Sequence, residues 1–152
     1  MERRGFIKSG VMAALGLLLF KPLTLLAAWP KSLFDHQGYS AALDDVLQGD
    51  TLQESEQVNL KIPPISQSGV SVPASVTTTL EQVESITLLV ENNPNPMVAM
   101  YYFSGSAMAY VSTRIKMNKS SPVHVIVKVD GRYYGTSQMV TVKKSGCYES
   151  GS

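Results

Sequence analysis

The sequence contains no second cysteine: Cys147 stands alone among 152 residues. An internal disulfide is therefore excluded, and the thiol either reacts or pairs with another molecule. Histidine is nearly as scarce, with only His36 and His124, and neither has a neighbouring Cys or carboxylate cluster at metal-ligand spacing. Both read as surface histidines, and no metal is expected. A Ser-His-Asp grouping, a phosphate-cradling glycine loop and a motif-placed carboxylate pair are all missing, so the chain lacks a recognisable catalytic apparatus. No cofactor is expected either. Basic residues do not interleave with aromatics, which argues against nucleic acid as a partner.

The front of the chain has its own character. Arg3-Arg4-Gly5-Phe6-Ile7-Lys8 precedes an apolar run from Val11 to Phe20, and Lys21-Pro22 breaks that run short of the roughly 20 residues a membrane helix needs. Residues 1–28 read as a twin-arginine-type export signal, with Leu26-Ala27-Ala28 as the cleavage region before Trp29 and an uncleaved anchor as the alternative. Export places the protein in the periplasm, with no stable membrane span after cleavage. From Trp29 to Glu91 there are two basic and nine acidic residues, a net −7. From Asn92 to Ser152 there are seven basic and two acidic, a net +5. Such a division suits a protein interface or an anionic ligand.

Residues 29–57 form an N-terminal segment with one helix, Ser40 to Gln48. Ser40 is placed to cap it, Gly49 to follow it, and Leu43, Val46 and Leu47 share a face. Thr51 to Gln57 reads as a polar connection. From Val58 the hydrophobic period becomes two. Val58-Leu60-Ile62 stops at Pro63-Pro64, Val70 to Val76 alternates after Gln67-Ser68-Gly69, and Val83 to Val90 is a third strand. Asn92-Asn93-Pro94-Asn95-Pro96 suits neither helix nor central strand. Met97 to Phe103, Ala107 to Met117, Val123 to Val129 and Gln138 to Lys143 complete the series, with Asp130-Gly131 as a hairpin turn. The expected fold is all-β: an immunoglobulin-like antiparallel β-sandwich over residues 58–144, with a short N-terminal helix and a mobile C-terminal arm at 145–152.

Two features of the C-terminal half invite chemistry. Arg114 and Lys116, two apart on one strand, make a basic pair that is a candidate partner contact or an ordinary polar sheet face. Cys147 lies in Ser145-Gly146-Cys147-Tyr148-Glu149-Ser150-Gly151-Ser152, among small and polar residues unlike a core. A dimer disulfide is one reading and a loaded thiol on an arm another. Lys143 and Lys144 favour the thiolate if the tail folds back.

Taken together, these segments resemble SoxY, the sulfur-carrier family of the bacterial Sox thiosulfate-oxidation system. The resemblance rests on the helix SAALDDVLQ, on VNLKIPPISQSGVSVPASV, on VESITLLVENNPNPMVAMYYF, on AYVSTRIKM and PVHVIVKVDGRYYG, and on MVTVKKSGC. It implies a covalent substrate carrier, not a catalyst, with sulfur attached at Cys147 and Gly146 giving the arm its freedom. The implied partners are a SoxZ-like subunit in a heterodimer, a c-type cytochrome complex, a sulfate-releasing hydrolase, and a sulfane dehydrogenase or sulfur-transfer enzymes. Family tails usually read Gly-Gly-Cys-Gly; here Ser145 and Tyr148 replace two glycines. That departure keeps open an alternative, a SoxYZ-like interaction module that no longer ferries sulfur. A thiol oxidoreductase is disfavoured, because a second cysteine and a flanking base are both lacking.

Overall fold

The computed structural model describes residues 34–35, 37–104 and 108–143. The export signal of 1–28, His36, Gly146 and Cys147 lie outside them. Among the described residues, helix α1 (Tyr39–Leu47) is followed by nine strands: β1 (Leu52–Glu54), β2 (Val58–Lys61), β3 (Ile65–Ser66), β4 (Val72–Thr78), β5 (Val83–Val90), β6 (Met97–Tyr102), β7 (Tyr110–Ile115), β8 (Ser121–Val129) and β9 (Arg132–Val142). They form two facing sheets. The larger runs β1-β9-β8-β5-β6, with β3 also on β9; the smaller runs β2-β4-β7. This is the immunoglobulin-like sandwich the alternating pattern predicts.

The core lies between the sheets because every second residue points there. Val72, Val76, Ile86, Leu88, Val90, Val123, Val125, Val127 and Val140 are wholly inaccessible. Asp130-Gly131 turns β8 into β9 as expected: both residues have positive φ, 48° and 72°, the mirror-image turn that matches strand twist. Val129 and Arg132 then sit opposite each other.

Four details of the expected fold need correction. The sandwich is not wholly antiparallel: β1 and β3 each pair parallel with β9, Leu52 opposite Tyr133 and Ile65 opposite Thr141. The segment read as a polar connection therefore contains a strand. β9 is also one continuous strand from Arg132, beginning well before Gln138. Finally, Ser40 does not cap the helix. Gly38 holds that position at φ 109° with no side-chain bond, and Gln48 closes the other end in the left-handed region, its N–H donating to the Asp44 carbonyl at 2.9 Å.

Helix α1 lies on the outer face of the larger sheet. Ala42, Val46 and Leu47 pack with Leu89, Met97, Ile126 and Tyr133 into a second apolar cluster, while Leu43 is only half-buried. That is why β5 and β8 read as nearly continuous hydrophobic runs rather than strict alternations: one face serves the sandwich, the other the helix. His124 belongs to this second layer. Its Nε2 is 3.1 Å from Glu91 Oε2, and its ring stacks on Tyr39 at 4.6 Å. The expected surface histidine is thus a clasp holding the start of the helix, with a side chain only 18% exposed.

Burial pushes the Tyr39 phenol above its ordinary value, and the Glu91 carboxylate adds to the rise. Its folded-state pKa being the higher, the unfolded chain releases this proton first. The clasp's contribution is complete below about pH 10 and is lost as pH climbs through the raised value. Tyr39→Phe should flatten the fall in stability above about pH 10 while leaving it nearly unchanged at neutral pH. Urea unfolding at both pH values checks this, and identical alkaline slopes would contradict it.

Candidate functional site

The two cores place the end of β9 firmly. Its last residues are gripped from both sides. The Val142 N–H donates to Ser120 Oγ at 2.9 Å, the Thr141 N–H to the Pro64 carbonyl at 2.8 Å, and the Lys143 N–H to the Ser66 carbonyl at 2.9 Å. Here β3 does its work: a two-residue strand anchors the chain just before it continues toward Cys147. Cys147 is four positions beyond Lys143, a reach of at most about 14 Å if fully extended.

Three connecting segments adjoin that anchor, at 62–71 (with β3 inside it), 91–96 and 116–120. The Asn92-Asn93-Pro94-Asn95-Pro96 motif, read in the sequence only as irregular, works as a lacing point. Asn93 Nδ2 donates to the Lys116 carbonyl at 2.8 Å, and its Oδ1 accepts the Asn118 N–H at 2.9 Å. Asn92 donates through its backbone to Ser121 Oγ and through Nδ2 to the Ser120 carbonyl. The prolines supply no N–H and hold the turn open, so the amide side chains bridge to the neighbouring loop. On the other side the Met117 N–H donates to the Gly69 carbonyl at 2.7 Å. A Cβ at Gly69 would stand 1.9 Å from the Met117 carbonyl oxygen, so only glycine permits this approach. Between these loops is a groove of about 380 Å³, lined by Gly69, Val70, Lys116, Met117, Val142 and Lys143 among others.

Arg114 and Lys116 are both exposed, on either side of buried Ile115. Arg114 Nη1 donates to Ser71 Oγ at 3.3 Å, and Lys116, one residue past the end of β7, lines the groove. The structure thus brings the basic pair to the end of the sandwich from which the cysteine-bearing tail departs. The signal for this was present in the strand register, but it needed β7 and β9 to be assigned to facing sheets. Among the described residues no group of three His, Cys, Asp or Glu gathers as a metal site, and no helix is long and apolar enough to cross a membrane.

The family model for sulfur oxidation protein SoxY matches residues 43–147, well over half of the chain and ending on Cys147. The chain belongs to the SoxY family. Among solved structures it is similar to the sulfur carrier protein SoxY from Chlorobium limicola f thiosulfatophilum. The identity is 28% and the TM-score 0.63, covering 69% of this chain and 96% of that one. A chain from a structure of T cell activation by the bacterial superantigen toxic shock syndrome toxin-1 is far more distant, at 11% identity and TM-score 0.41, covering 56% of this chain and 97% of that one. No curated protein matches the sequence. The SoxY family is one of sulfur carriers rather than catalysts, and membership supports a sulfur-oxidation carrier role for this protein among other Sox components.

Proposed function

We propose that the protein is an exported, periplasmic carrier that holds sulfur intermediates on Cys147 and presents them to partner enzymes. The observation that carries this reading is the clamped end of β9: a rigid sandwich delivers the chain to a fixed point, and the family match then runs four residues further and stops on the thiol. A thiol on such a tether is confined near any cleft that accepts it, which converts a bimolecular encounter into an effectively local one.

Loading with thiosulfate is an oxidation. Cys–SH and S2O3²⁻ give Cys–S–S–SO3⁻, one proton and two electrons, and the c-type cytochrome complex takes the electrons. Water then cleaves the S–SO3 bond in a hydrolase, releasing sulfate and two protons and leaving Cys–S–S⁻. A sulfane dehydrogenase or sulfur-transfer enzyme would take this remaining sulfur. The protein supplies only the nucleophile and its position. Incubating the folded protein with thiosulfate and the cytochrome complex, then weighing it, tests the reading: a thiosulfate-dependent addition mapped to Cys147 is expected.

A SoxZ-like subunit is the proposed standing partner. Tyr102, Met108 and Tyr110 are exposed at the end opposite the tail, beside the open edges of β6 and β7, and apolar groups so placed suit a subunit contact. Arg114 and Lys116, candidate contacts from the sequence, lie away from these aromatics, at the tail end.

The second reading, an interaction module that no longer ferries sulfur, is favoured by Ser145 and Tyr148, which stand where family tails carry glycine. A ring beside the thiol adds bulk, and only glycine reaches positive φ without steric cost. Ser145→Gly with Tyr148→Gly should raise turnover of the conjugate by a conventional Sox hydrolase. Equal rates for both tails would mean the tyrosine is tolerated.

A further inference from the structure

The two halves of the sequence differ in charge, and the fold turns that difference into a difference between the two ends of the sandwich. At the end where the tail departs, the strand termini and loops carry Arg114, Lys116, Lys119 and Lys143, all exposed. None of the four forms an ion pair with a described residue. The carboxylate at these loops, Glu91, is held by His124. At the opposite end the loops and termini carry Glu54, Glu56, Glu81, Glu84 and Asp130, against Lys128, which is paired with Glu84, and Arg132. The alternation of strand direction causes this. β7 and β9 both finish at the tail end and β8 begins there, so basic residues that are dispersed along the C-terminal half converge in space.

From this we infer that the tail end is an electrostatic landing surface for the enzymes that act on the thiol, and that those enzymes carry an acidic rim around the mouth of their cleft. The inference rests on the carrier reading and goes beyond it by naming the surface and the chemistry of its partner. Tether length makes the argument quantitative. Cys147 extends at most about 14 Å beyond Lys143. A reacting centre set several ångströms inside a cleft therefore draws the mouth of that cleft to within about a Debye length, ~8 Å at physiological salt, of these four cations. Charges at that range are not screened away. An acidic rim would speed encounter and orient the tail toward the opening, and a basic rim would repel it. Val70, 75% exposed, lines the same groove as Lys116 and Lys143 and gives the landing surface an apolar contact.

The experiment compares the full chain, with its SoxZ-like subunit, against Lys116→Glu/Lys143→Glu and against Arg132→Glu, which adds negative charge at the opposite end. Two readouts are taken with the cytochrome complex: binding affinity across a salt series, and conjugation rate as carrier concentration varies. The double variant is expected to bind about tenfold more weakly at low salt and to raise KM for the carrier with little change in kcat, both effects shrinking as salt is added. Arg132→Glu should stay within about twofold of the parent. Iodoacetamide carried to completion should add one group at Cys147 in all three, and their thermal melts should agree, showing that fold and thiol are intact. Equal affinities for the double variant and the parent would overturn the inference. So would a change confined to the dependence on thiosulfate concentration, since the cations would then be serving the free anion. Failure of the parent to form any conjugate would instead remove the carrier reading, and the affinity series would still decide whether this end is a landing surface.

Discussion

Cys147→Ser is expected to abolish thiosulfate-dependent mass addition completely while leaving the melting temperature of the protein nearly unchanged. The loss is total because serine's hydroxyl is neither a thiolate nor able to form an S–S bond. Tolerance follows from where the cores are. Among the described residues both apolar clusters draw from between Phe34 and Val142, and β9 is clamped by Ser120, Pro64 and Ser66 four positions ahead of the cysteine. A substitution outside these features usually changes stability by no more than about 0.5 kcal/mol. Intact mass before and after incubation with thiosulfate and the cytochrome complex, paired with a thermal melt, measures both halves of the expectation. Equal additions on the parent and the serine variant would move the attachment site elsewhere and end the carrier assignment at Cys147.

The largest effect on stability is expected from Leu88→Ala. Leu88 lies in the middle of β5, the strand between β8 and β6, opposite Val125 on one side and Ala99 on the other, and is wholly inaccessible. Truncation removes three carbons from between two sheets that cannot both close on the gap, since each is held by its own ladder. Such changes cost about 2–5 kcal/mol, a large share of the roughly 5–15 kcal/mol that stabilises a typical domain. For a domain of this size the melting temperature should fall by about 10 °C or more. Urea unfolding of the two proteins with matched slopes gives the number directly. A loss below about 1 kcal/mol would mean that the sheets do settle into the void, and the two-layer description of the core would need revision. Loading of Cys147 at low temperature should survive this substitution, because the thiol's chemistry depends on the tether and not on the packing of Leu88.

Much of the architecture was legible before any coordinates. The inward-facing series Val58-Leu60-Ile62, Val72-Ala74-Val76 and Val123-Val125-Val127 need only the two-residue period of a strand. Asp130-Gly131 needs only the left-handed preference of the turn, and α1 only its spacing of apolar side chains. These signals are local, so one sequence suffices to read them. The family motifs were legible for a similar reason, since they are fixed strings such as VSTRIKM and the Gly-Cys of the tail.

What tertiary structure alone decided is pairing between distant segments. Leu52-Gln53-Glu54 carries no strand pattern of its own and becomes one because it lies parallel to Tyr133-Tyr134-Gly135, some 80 residues away. Gly135 leaves the space that Leu52 fills: a Cβ there would come within 3.0 Å of its Cδ1. His124 looked like a surface residue until α1 settled on the outer face of the larger sheet and brought Tyr39 against it. The sequence determined that this chain is a SoxY-family sandwich with a lone thiol near its end, because composition and short-range periodicity are properties of the string. Only the fold decided that Arg114, Lys116, Lys119 and Lys143 meet at the end from which that thiol departs, because the direction of each strand sets which of its ends faces the tail.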